Sequence, residues 1–166
     1  MTRSASLASL LGSLALSLAP APALAAQPID PARILLLHNG ERAMVGTAPL
    51  VWNEALAGSA AVWARTLSRA GKIWHDPMNK AEGENIWMGT RNAYSVDEMI
   101  GHWAAEKADL PDPARWVDRH AAVGHYTQMI WSTTTSVGCA MASDRHNDFL
   151  VCRYGPPGNI VGRAPW

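Results

Sequence analysis

Histidines and carboxylates set among apolar neighbours are the residues of this chain best able to do chemistry. Six histidines stand in its 166 residues: His38, His75, His102, His120, His125 and His146. A lone histidine is usually a hydrogen-bonded core or surface residue, so each needs company before it counts. His38 beside Asn39 reads as a capping or packing residue, and His146 as a solvated residue of a polar loop. Glu98, His102 and Glu106 recur every four residues, which places them on one helix face as a metal stripe or a solvated one. Two strings carry more information. Gly124-His125-Tyr126-Thr127-Gln128-Met129-Ile130-Trp131 puts a histidine at the start of an apolar helix, and Gly83-Glu84-Asn85-Ile86-Trp87 sets an acid against apolar and aromatic residues. Buried acids and histidines are costly unless they meet one another or a cation.

The elements that must position these residues have legible ends. Asp30-Pro31 is an N-cap with an N1 proline for a helix running through Ile34 to Met44 and ending near Gly46. Asn53 caps a second helix, with Glu54 in its first turn, Arg65 and Arg69 in its last, and Gly71 after it. Leu56, Ala60, Trp63 and Leu67 fall on one face of that helix. Ser95-Val96-Asp97-Glu98 is a capping box for a third helix carrying Met99, Ile100 and Trp103. A short fourth helix is expected over Tyr126 to Trp131. Ser136 to Ala142 and Phe149 to Tyr154 read as two strands around a polar loop. If Ala142 faces Phe149, Cys139 faces Cys152, close enough for a disulfide that contributes roughly 3 kcal/mol. The chain has no other cysteine, so a cysteine nucleophile is excluded. Helices segregated about a small, mainly antiparallel sheet predict an α+β fold, a three-layer α-β-α sandwich.

Compartment and composition bound the function. Arg3 ahead of an apolar stretch from Leu7 to Leu18, then Ala23-Leu24-Ala25, reads as a signal peptide over residues 1–25. Cleavage after Ala25 is expected, leaving one domain over 26–166, secreted to the periplasm or the medium, and no transmembrane segment. Residues 26–166 carry 13 basic and 14 acidic groups, a balance that argues against nucleic acid as a partner. Eight tryptophans against one phenylalanine suggest rings that line a cleft or lock helices onto the sheet. Trp166 is expected to pack on the sheet and pin the C-terminal segment.

From about Ile34 to Trp166 the chain resembles the CAP superfamily of cysteine-rich secretory proteins, antigen 5 allergens and plant pathogenesis-related class 1 proteins (the SCP domain). The resemblance rests on His38-Asn39, Arg42, Gly46, Trp52-Asn53, the 83–87 string, Trp103 with Glu106, the 124–131 string, and Cys152-Arg153-Tyr154-Gly155-Pro156-Pro157-Gly158-Asn159. It implies a central cleft lined by His75, Glu84, Glu106 and His125. The chain departs from the family pattern at Asp76, where a serine is frequent, and at Val123, where a cysteine is frequent. Only the Cys139–Cys152 bridge of the family's disulfides can be present.

Two imidazoles and two carboxylates suit zinc or another divalent cation. With two histidines and one glutamate as ligands, an open position could hold water and the second glutamate act as its base, the arrangement of a metal-dependent hydrolase. The alternative is that acids and histidines hold each other without turnover. The resemblance favours a binding module over an enzyme, and it also implies a carrier of a small hydrophobic ligand, a sterol or fatty acid.

Overall fold

The computed structural model describes residues 29–110 and 112–166, so the expected signal peptide lies outside the described residues. Local capping chemistry starts each of the first three helices. Helix α1, Pro31–Val45, begins where the Asp30 carboxylate accepts the Ala32 N–H, and ends on Gly46 at φ 77°. Helix α2, Glu54–Ala70, begins where the Asn53 side chain accepts the N–H groups of Ala55 and Leu56, and ends on Gly71 at φ 65°. Helix α3, Val96–Ala105, carries the full Ser95/Glu98 capping box. Helix α4 differs from expectation, spanning His120–Ile130 after a 3-10 segment at Pro113–Arg119. Arg119 makes no side-chain cap there, so the sequence carries no start signal. His125 therefore lies in the middle of α4, not at its start.

Four strands, β1 (Val51–Trp52), β2 (Gly83–Thr90), β3 (Ser136–Ser143) and β4 (Asn147–Gly155), form one sheet in the order β1-β3-β4-β2. Only β1 runs parallel to its neighbour. Ala142 faces Phe149 and Cys139 faces Cys152, as the hairpin register predicts, and the two cysteines are bridged.

The sheet separates two cores, which makes the three-layer sandwich. On one face α2 lays Ala60, Ala64 and Leu67 against Ile86, Ala140, Ala142, Phe149 and Val151. The helix comes so close that a Cβ on Gly138 would collide with the backbone of Asn53 and Ala57. Ala64 is fully buried there, and Trp63, half-buried, packs against the same core with its ring edge-on to Trp74 at 5.3 Å. On the other face α1, α3 and α4 bury Ile34, Met99, Trp103, Met129 and Ile130 against Val137, Leu150 and the disulfide.

Arg42 ties this second layer together. It is 1% exposed and donates to the carbonyls of Ala48, Met129, Trp131 and Thr134. Burial pushes its pKa down to about 10, against a smaller opposing effect of Tyr154. The C-terminal segment is held differently from expectation. Trp166 remains 39% exposed, whereas Pro165 is buried and its carbonyl accepts the Ser132 N–H at 2.7 Å. The Trp116 indole donates to the Arg163 carbonyl at 2.6 Å. Among the described residues, no helix is long and apolar enough to cross a membrane.

Candidate functional site

The four residues singled out from sequence sit in two acid–imidazole pairs that line or back one cleft. His75 comes from the loop between α2 and β2, and Glu84 is the second residue of β2. His75 Nδ1 lies 2.6 Å from Glu84 Oε1, which also accepts the Asp76 N–H. Glu106 follows directly on the end of α3, and His125 sits on α4. His125 Nδ1 lies 2.6 Å from Glu106 Oε1, while Oε2 accepts the N–H groups of His125 and Tyr126. The imidazoles stand outward and the acids behind them: His75 is 70% exposed against 5% for Glu84, and His125 36% against 19% for Glu106. A carboxylate accepts hydrogen bonds only, so each Nδ1 carries the proton, and in the neutral ring Nε2 holds the lone pair. The hydrogen bond that His75 donates to Glu84, reinforced by the charge of that carboxylate, raises the pKa of His75 above the usual histidine value against the opposing effect of burial.

This geometry revises one expectation. Among the described residues no group of three His, Cys, Asp or Glu side chains converges to hold a metal. Glu106 has both oxygens occupied by its imidazole and by backbone N–H groups, and Glu84 gives Oε1 to His75 and the Asp76 N–H while Oε2 is buried against Arg153, so neither is placed as a ligand. The Glu98, His102 and Glu106 stripe does not converge either. Glu98 is spent on the Ser95 cap, and His102 accepts from the Trp87 indole.

The cleft has a volume of about 190 Å³ and is lined by His75, Glu84, Asn85, His120, His125 and Asn159, with Ala121 and Gly124. Three of these were missed in the sequence. His120 stands at the first position of α4, one turn before Gly124, beside Trp116. Asn159 fixes the wall by donating to the Gly124 carbonyl and accepting from Thr127 Oγ1. Asn85 alternates with Glu84 along β2 and points to the opposite face, where it donates to the His125 carbonyl and to Tyr154 Oη. Tyr154 bonds in turn to His38, which is fully buried. His38 is thus a packing residue whose contacts reach the backbone of His125. Trp103, one of the eight tryptophans, stacks on the His125 ring at 5.8 Å and 16°.

Behind Glu84 lies Arg153, buried in β4 and directly opposite it in register. Arg153 donates to Asp76 Oδ2 at 2.9 Å. Burial alone would raise the Asp76 pKa, but the Met78 N–H and Arg153 outweigh it and hold the carboxyl below its usual value. A cation inside an otherwise apolar strand is the signal by which Arg153 could have been found from sequence.

Relatives agree with this architecture. The family model of the cysteine-rich secretory protein family, CAP, matches residues 35–154. Pathogenesis-related protein PR-1 of Medicago truncatula is 34% identical over 136 residues, covering 81% of this chain and 78% of its own length. Pathogenesis-related protein 1C of Nicotiana tabacum is 31% identical over 130 residues, covering 78% and 76%. The crystal structure of NaASP2 with Zn2+ superposes with a TM-score of 0.70 at 22% identity, covering 89% of this chain and 88% of that one, which is a likeness of fold. By the family model over residues 35–154 and the 34% identity to the Medicago truncatula protein, this chain belongs to the CAP family of cysteine-rich secretory proteins.

Proposed function

We propose that this chain is a secreted binding module whose cleft holds a divalent cation of the zinc class on His75 and His125, without turnover. The observation that carries the reading is the pairing of both imidazoles with carboxylates through Nδ1, which leaves two Nε2 atoms for one small polar cleft. A histidine that ligates a metal characteristically gives its other ring N–H to a carboxylate, which fixes the tautomer and strengthens the free nitrogen as a donor. Two imidazoles held in this way are the kind of donor such an ion takes, with water completing its coordination. A bound cation would supply Lewis acidity, whereas Glu84 and Glu106 would orient the two rings. Glu106 has both oxygens occupied and Glu84 Oε2 is buried against Arg153, so neither acid is placed to take a proton from a water in the cleft, which argues against the hydrolase. NaASP2, a protein of the same fold, has a crystal structure with Zn2+.

The carrier reading fares less well at this cleft. About 190 Å³ walled by histidines, a glutamate and asparagines is small and polar beside the apolar cavities that enclose drug-sized ligands. Export is supported by the pathogenesis-related relatives and by the structural disulfide, which persists in oxidising compartments. Titration calorimetry with zinc tests the proposal. Wild-type protein should bind one equivalent in the micromolar range, and a His75→Ala, His125→Ala variant should give only the heat of dilution. Equal heats from both proteins would sink it.

A further inference from the structure

The two arms of the cleft differ in what stands behind each carboxylate. Glu106 has both oxygens satisfied by neutral backbone donors and its own histidine. Glu84 has a buried guanidinium instead. Arg153, 1% exposed, brings Nη2 to 3.0 Å from Glu84 Oε2, and its Nε to 3.8 Å from Glu82 Oε2. The approach to Glu84 is an ion pair without hydrogen-bond alignment. Among the described residues, Glu84 Oε2 and Arg153 Nε and Nη1 are buried without a hydrogen-bond partner. The aligned bond of Arg153 goes to Asp76, the residue that replaces a frequent serine of the family.

We propose that Arg153 and Asp76 are positioning residues that set the cation affinity of the cleft through Glu84. Arg153 holds Glu84 Oε2 inside the protein, so that Glu84 serves as the partner of His75 and not as a ligand. Its buried charge also draws on the carboxylate, which weakens the support Glu84 gives to the His75 ring, and it opposes a divalent cation nearby. Asp76 offsets that charge. A buried charge is poorly screened, so this balance reaches the cleft where a surface charge would not. The proposal rests on the metal reading above.

Zinc calorimetry at pH 8, with thermal melts alongside, on wild type, Asp76→Asn, Arg153→Lys and the Asp76→Asn, Arg153→Gln double variant separates the possibilities. Partners behind a ligating histidine typically change metal affinity by 10–100-fold. Asp76→Asn, which leaves the guanidinium uncompensated, should weaken binding about tenfold. Adding Arg153→Gln, which removes the charge but keeps an amide donor for Glu84 Oε2, should restore affinity to within about threefold of wild type, and Arg153→Lys, which keeps the charge, should stay within that range. If the single and the double variant are weakened alike, in step with their melting temperatures, Arg153 and Asp76 are only a structural clamp and the proposal is overturned. Unchanged affinity in Asp76→Asn overturns it as well. Absence of zinc binding in every protein removes the metal reading itself, a result distinct from a flat series among proteins that bind.

Discussion

His38 should make this protein sensitive to mild acid. It is fully buried, with Nδ1 2.9 Å from the Ile34 carbonyl and Nε2 2.9 Å from Tyr154 Oη. The carbonyl only accepts, so Nδ1 carries the proton and Nε2 accepts the tyrosine hydroxyl. Protonating Nε2 would break that bond and bury a charge near Arg42. Burial, with Arg42 adding to it, lowers the His38 pKa to about 4 from 6.5, although the Ile34 bond opposes them. Below pH 6.5 the unfolded chain binds a proton that the folded one refuses until about pH 4, so stability is present above 6.5 and drains away as pH falls. Integrated from pH 7.5 to 5, the loss is about 2 kcal/mol. Urea denaturation across that range on wild type and His38→Gln isolates the effect, because all other titrating groups are shared. Wild type should lose about 2 kcal/mol more than the variant. Parallel pH profiles would refute the reasoning, however unstable His38→Gln proves at neutral pH.

Two further outcomes follow from covalent and tail contacts. The Cys139–Cys152 bridge closes a sequence separation of 13, so its reduction should cost roughly 3 kcal/mol, and denatured, unreduced protein should show no free thiol; two reactive thiols would contradict the pairing. Deleting residues 164–166 should cost about 1–3 kcal/mol through loss of buried Pro165 and its acceptor for the Ser132 N–H, while Trp166→Ser, which keeps both, should cost less than the deletion. Equal losses in those two variants would return the anchoring role to Trp166.

What could be read from sequence was what depends on neighbours in the chain. The caps at Asp30, Asn53 and Ser95 are decided within one turn, and the hairpin register by the spacing of Ala142, Phe149 and the cysteines. The start of α4 was missed because it has no capping side chain and follows a 3-10 segment. The exposure of Trp166 is not legible in the sequence because it depends on where the tail runs, which is not local. The same division holds at the cleft. His75, Glu84, Glu106 and His125 were named through apolar context and resemblance, but their pairing as two separate acid–imidazole couples comes from contacts 9 and 19 residues apart. Asn85, His120, Asn159, Asp76 and Arg153 acquire roles only when β2, β4 and α4 are assembled.

The central claim is that two imidazoles, and not the carboxylates, take the cation. Anomalous diffraction at the zinc edge from crystals soaked in zinc tests it most directly. A single peak is predicted in the cleft, about 2.0–2.1 Å from Nε2 of both His75 and His125, with both Nδ1–carboxylate bonds intact. No peak there, or a peak coordinated by Glu84 or Glu106 with its imidazole partner displaced, would contradict it.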